Sequence, residues 1–198
     1  MLGNSRLMRL TGLAGTLAAL VLASPRAAQA QTWIGALLGS NEVPAVSTPA
    51  SGFVTITLNN RMLSLVMNWS GLTGGNPTAG HIHCCVAPGS NVGVAVNFLN
   101  FPATASGSYS NTFDLTSTAV YNGNFRNTFG GGTTAGAEAA LINGLNSGHA
   151  YVNIHNRQFP GGELRADVTV TPEPASVLLV TLGLGCMAFV AGRRKASV

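Results

Sequence analysis

The chain has 198 residues, of which only 8% are charged, and a formal net charge of +4. That charge would suit an anionic partner, but Arg6, Arg9 and Arg26 precede residue 31, and Arg193, Arg194 and Lys195 close the chain. Residues 31–171 keep four arginines against five carboxylates, a net −1, which excludes nucleic acid as a partner because no phosphate-binding surface can be built from them.

The first thirty residues have the build of a secretory signal. Arg6 and Arg9 precede an apolar stretch from Leu10 to Ala23, and Ala28-Gln29-Ala30 supplies a small-residue cleavage site. The stretch is shorter than the ~20 apolar residues of a membrane span and ends at Pro25-Arg26. Residues 1–30 are therefore expected to be removed by signal peptidase, with Ala28 and Ala30 at the cut and Gln31 as the new N-terminus. The next 141 residues, 31–171, suffice for one compact domain.

Within that domain, Val54, Ile56 and Leu58 alternate with Thr55 and Thr57, and Leu63, Leu65, Met67 and Trp69 alternate again. A period of two means strand, and Asn59-Asn60 supplies the turn of a hairpin over 52–69. Further strands are expected at 79–86, 92–98, 107–115, 149–156 and 163–169, and one short helix over Ala135–Leu145, where Ala137, Ala140 and Leu141 recur at helical spacing. Many short strands with turn residues between them predict an all-β fold, an antiparallel Greek-key sandwich or barrel. The several crossover helices of a parallel α/β fold are missing.

The segments that could carry chemistry are His81-Ile82-His83 and Tyr151-Val152-Asn153-Ile154-His155. Residues i and i+2 of a strand share a face, so His81 and His83 project together, as do His149, Tyr151, Asn153 and His155. Ile82, Cys84, Val86, Ala150, Val152 and Ile154 then point to the core. If the two strands pair, His81, His83 and His155 can converge as three neutral imidazoles, a set suited to Zn²⁺ or Cu²⁺. Glu163, at the head of the next strand, is a candidate fourth ligand or a hydrogen-bonding partner of the ligands. A polar cluster of the same imidazoles with Asn153 and Glu163 that only fixes the sheet is the plainer alternative.

The cysteines form no disulfide framework, because Cys84 and Cys85 are adjacent and Cys186 lies in a distant apolar run. The adjacent pair could be a metal ligand, a vicinal disulfide or two ordinary residues. Disulfide geometry favours the last in a regular strand. No nucleophile–base pair, phosphate loop or Gly-x-Ser-x-Gly elbow is present in the sequence, so a non-enzymatic protein is expected.

The C-terminus has its own order. Pro172-Glu173-Pro174 stays extended, Ala175–Gly192 is uncharged and just long enough to span a bilayer, and Arg193-Arg194-Lys195 follows at once. Lys and Arg flanks stay cytoplasmic, which would leave the domain outside the inner membrane. Pro172, Glu173 and Pro174, the apolar run and the basic tail with Arg193 and Arg194 together resemble the PEP-CTERM sorting signal of Gram-negative bacteria. The resemblance over 172–198 implies handling by an exosortase, transient anchoring in the inner membrane, and a final place at the cell surface or outside the cell.

The domain itself resembles the CHRD domain, named after chordin. The resemblance rests on Leu38-Gly39-Ser40-Asn41-Glu42-Val43-Pro44, on Ala79-Gly80-His81-Ile82-His83, and on Tyr151-Val152-Asn153-Ile154-His155 followed by Pro160-Gly161-Gly162-Glu163-Leu164-Arg165. It departs from the pattern at Cys84-Cys85, where a Gly is common, and at Asn156, where Thr is usual. The resemblance implies an all-β extracellular module without an established catalytic activity. The function expected from these features is adhesion or structural contact with extracellular polysaccharide or surface proteins, with metal binding or redox chemistry at the histidines as the alternative.

Overall fold

The computed structural model describes residues 30–171, together with Leu182 and Gly183. The expected signal peptide, apart from Ala30, and the expected sorting segment of 172–198, apart from those two residues, lie outside the described residues. Among the described residues no helix is long and apolar enough to cross a membrane.

The chain folds as β1 (Gln31–Leu38), β2 (Ser51–Asn59), β3 (Met62–Ser70), β4 (Pro77–Cys84), β5 (Val94–Asn97), β6 (Gly107–Asp114), α1 (Gly123–Thr128), α2 (Thr134–Asn146), β7 (Ala150–Asn156), β8 (Leu164–Asp167) and β9 (Thr169–Val170). The strands form one antiparallel sheet in the order β5-β4-β7-β8-β1-β2-β3-β6, with β9 also on β1. The sheet is curled into a half-barrel. The antiparallel all-β expectation therefore holds at the level of a single curled sheet.

The β2–β3 hairpin pairs Ser51 with Ser70 through to Asn59 with Met62. Its two loop residues, Asn60 and Arg61, both have positive φ, 47° and 65°, the backbone of a two-residue turn that matches the twist of the strands it joins. Val54, Ile56, Leu63, Leu65 and Met67 lie on the buried face as their alternation requires. Trp33 and Leu37 of β1, Ile82 of β4 and Val152 and Ile154 of β7 join them in one core.

The expected helix is present within a residue at each end. Thr133 caps α2 by accepting a hydrogen bond from the Gly136 amide at 3.0 Å. Ala137, Leu141 and Leu145 of α2 are fully buried. Burial of each such leucine contributes roughly 1.5–3 kcal/mol, which stabilises a helix of marginal length for independent folding.

At the β4–β7–β8 end the sheet is covered on both faces. Only His155 of β7 is partly exposed. The second cover comes from loops: Glu42 reaches Asn153, Asn91 donates to the Val43 carbonyl, and the carbonyls of Val92 and Pro160 receive the side chains of His83 and His155. This loop-covered face carries the histidines.

Cys84 and Cys85 differ from expectation. They are joined in a disulfide across a cis peptide bond. The pair stands where β4 ends, so the demands of a regular extended strand that disfavour such a bond do not apply to Cys85. Both sulfurs lie against the Ala140 carbonyl of α2, at 3.8 and 3.4 Å. A side chain at Gly144 would collide with Cys84 and sit 3.0 Å from the Cys85 sulfur, so the helix passes here only as glycine.

Candidate metal centre

Antiparallel pairing of β4 with β7 sets His81 opposite Asn153, His83 opposite Tyr151, and Ala79 opposite His155. The alternation of both strands puts all the polar members of these pairs on one face. His81 and His83 share a strand with their rings T-shaped to one another, and His155 completes a triangle, with ring centroids 4.9, 5.6 and 5.9 Å apart. One ring nitrogen from each of the three lies within 4.8 Å of the other two. His149, expected on the same face, precedes β7 and is exposed.

Two of the imidazoles are oriented by backbone carbonyls. His83 Nδ1 lies 2.8 Å from the Val92 oxygen, and His155 Nδ1 lies 2.9 Å from the Pro160 oxygen. A carbonyl only accepts, so each Nδ1 carries the proton and each Nε2 presents a lone pair. His83 Nε2, His155 Nε2 and His81 Nδ1 are all buried and have no hydrogen-bond partner among the described residues. This is the arrangement by which outer partners fix the tautomer of a metal-ligating imidazole.

The electrostatics keep the rings neutral. Burial, then the neighbouring His155 and His83, lowers the pKa of His81 to about 4. Burial does the same for His83, also to about 4; the Val92 carbonyl opposes it, and His155 and Arg165 add to it. Burial likewise lowers His155 against the pull of the Pro160 carbonyl. Neutral imidazoles at neutral pH are the form that binds a metal ion.

Behind the triangle stands a stack. The Tyr151 ring lies parallel to His83, 4.6 Å between centroids, and the Arg165 guanidinium covers the other side of Tyr151 at 3.6 Å. Arg165 is buried and held by Asp167 Oδ1 at 2.8 and 3.0 Å, by the Ser90 carbonyl and by Asn91 Oδ1. The Tyr151 hydroxyl accepts from the Val92 amide at 3.2 Å. The residue that orients His83 therefore also anchors the ring stacked on it.

Glu163 is placed elsewhere. Its carboxylate accepts from Thr48 Oγ1 at 2.7 Å, from the Thr73 amide and hydroxyl at 2.8 Å each, from the Gly74 amide at 3.1 Å, and from Asn156 Nδ2. Burial would raise its pKa, but these bonds outweigh it and leave Glu163 below the ordinary carboxylate range. It ties the loops after β1 and β3 to the end of β7 and is not among the grouped ligand atoms. Glu163, expected as a fourth ligand or a partner of the ligands, is set apart from the three imidazoles for a local reason. β8 begins at Leu164, so Glu163 precedes the strand and its direction is not set by strand alternation.

Two participants were not assigned from sequence. Glu42 is buried, accepts from Asn153 Nδ2 at 2.7 Å, and has its pKa raised to about 7 by burial, with Arg165 opposing and Asp167 adding. Gly162, at φ 128°, lets the chain pass over this pair, because a Cβ there would overlap both Asn153 and Glu42. Their signal was present in the motifs. The segments 38–44, 79–83, 151–155 and 160–165, which carry the resemblance to a known family, are the segments that meet at this site.

No curated protein and no solved structure matches the chain. The CHRD domain matches residues 35–168, more than half of its length. The chain therefore belongs to the CHRD domain family.

Proposed function

We propose that this domain binds a Zn²⁺ or Cu²⁺ ion through His81, His83 and His155, as a metal-binding module of an exported surface protein. The observation that carries the reading is a set of three imidazoles that bring one ring nitrogen each within 4.8 Å of the others, each ring also having a buried nitrogen unpartnered among the described residues, and two of the rings being tied to a backbone carbonyl through the other nitrogen. A polar cluster that only fixed the sheet would satisfy its own nitrogens, because a buried polar atom left without a partner costs about 1–3 kcal/mol. Three imidazoles of borderline softness suit zinc or copper over magnesium or calcium, which prefer oxygen.

The export half of the proposal is supported by the order of segments at the two ends, with signal peptidase and an exosortase as the processing partners. A disulfide agrees with an oxidising compartment. Contacts with extracellular polysaccharide or surface proteins, the role expected from the sorting signal, would use surfaces away from the loop-covered histidines.

Equilibrium dialysis of the full chain against Zn²⁺ or Cu²⁺, followed by metal analysis, tests the binding half. One tightly held ion per chain, lost in the His83→Ala, His155→Ala double variant with the β-rich circular dichroism spectrum retained, is the expected result. Equal metal content in the wild-type chain and the double variant would remove the histidines from the account.

A further inference from the structure

Asn153 is a fourth polar group on the floor of the histidine triangle. The register sets it opposite His81 and between Tyr151 and His155 on β7, so three imidazoles and one carboxamide occupy neighbouring positions of one sheet face. It is 1% exposed. Its orientation is determined by its neighbours: Nδ2 donates to Glu42 Oε1 at 2.7 Å and lies 3.5 Å from the Gly161 carbonyl. Both are acceptors, so the amide nitrogen must face them and Oδ1 must face away.

Oδ1 is buried and has no donor among the described residues. Among the described residues, then, His83 Nε2, His155 Nε2 and Asn153 Oδ1 are acceptors that receive no hydrogen bond, and His81 Nδ1 is a further buried ring nitrogen without a partner. A bare cation satisfies the nitrogens. A ligand that binds the ion and carries a proton on its coordinating atom satisfies both the ion and Oδ1.

We infer that the three-histidine site keeps one exchangeable coordination position, and that Asn153 selects for it a small protic ligand, water in the resting protein, by accepting a hydrogen bond from the coordinating atom. The inference rests on the metal-binding reading and adds to it the class of ligand taken. A site of three protein ligands with an open position is of the kind that exchanges ligands, whereas a purely structural ion is closed by four. An aprotic anion such as azide turns a lone pair toward Oδ1 and is disfavoured there. Glu42 holds Asn153 in register, and Gly162 gives the pair its room. Asn153 is on this account a positioning residue for an exogenous ligand.

The test loads the full chain with one equivalent of Co²⁺, whose visible spectrum reports coordination, and titrates it with azide. Asn153→Ala and the milder Asn153→Ser are compared with the wild-type chain. The expected result is one Co²⁺ in all three proteins, a spectrum that responds to azide in all three, and azide binding about tenfold tighter in the variants, the worth of one hydrogen bond. A role in folding alone would not move that ratio. Equal azide affinity in wild type and variants overturns the inference, as does a wild-type spectrum indifferent to azide, which needs no variant to observe. Loss of Co²⁺ from a folded variant overturns it too, by making Asn153 a direct ligand. Failure of the wild-type chain to bind Co²⁺ is a separate outcome, which overturns the metal-binding reading itself.

Discussion

Replacing Glu163 by Gln is the sharpest single perturbation of the scaffold around the site. Five donors converge on the two carboxylate oxygens, three on Oε1 and two on Oε2. In Glu163→Gln one oxygen becomes an NH₂ group. With the NH₂ in the Oε1 position, the hydroxyls of Thr48 and Thr73 can turn to accept, but the Thr73 amide is left without a partner. In the Oε2 position it faces the Gly74 amide and Asn156 Nδ2, and Asn156 cannot turn without releasing the Phe159 amide that its Oδ1 holds at 2.9 Å. At least one buried N–H is orphaned, at about 1–3 kcal/mol, and the remaining bonds lose their charge assistance. Relief of a buried charge offsets part of this, so a net loss of ~3 kcal/mol is expected. An unfolding entropy of about 0.3 kcal/mol/K for a domain of this size turns ~3 kcal/mol into a fall of ~10 °C in Tm. Thermal unfolding of the full chain by circular dichroism measures it, and Zn²⁺ affinity measured well below Tm is expected to be unchanged. A variant with wild-type Tm and weakened metal binding would refute the reasoning and return Glu163 to the metal.

Gly144→Ala should destabilise the domain in spite of the better helix propensity of alanine. The added Cβ meets the Cys84–Cys85 pair, and overpacking of about 1–3 kcal/mol exceeds a propensity gain of at most about 1 kcal/mol; urea unfolding reads the difference. The metal-free protein should gain stability as pH rises from about 4 to 6.5, because His81, His83 and His155 bind protons more weakly folded than unfolded. Glu42 acts in the opposite sense between about 4.5 and 7, since its folded pKa is raised. Denaturation midpoints measured across this range should therefore rise more steeply in Glu42→Gln than in the wild type. Zn²⁺, once bound, should be retained at pH 5.5, where imidazoles of ordinary pKa would be largely protonated; dialysis at that pH followed by metal analysis checks it.

Much of the fold was legible because the β2–β3 hairpin alternates buried Val54, Ile56, Leu63, Leu65 and Met67 with Thr55, Thr57, Ser64 and Asn68, a contrast that survives the outward-facing Phe53, Met62 and Val66. β1 was not, and its residues explain why. Trp33 and Leu37 point to the core, but Ile34 and Ala36 between them and Leu38 after them are also apolar, so no period-two contrast marks the strand. The six-residue α1 is too short for a helical pattern to emerge. At the site, strand parity was enough to bring His81, His83 and His155 to one face. It could not reveal that the carbonyls of Val92 and Pro160 fix two of the rings, because both come from loops whose paths depend on tertiary packing. The same limit misdirected Glu163, one residue outside its strand, and Cys85, one residue past the end of β4.

The central claim is that three imidazoles, and no sulfur, hold a metal ion in this domain. X-ray absorption of the full chain loaded with one equivalent of Zn²⁺ tests it most directly, since it counts the ligands around the ion itself. The account predicts three imidazole nitrogens at about 2.0–2.1 Å with one further light atom and no Zn–S scattering at ~2.3 Å. A sulfur shell, or an ion surrounded by water oxygens with at most one imidazole, would contradict it.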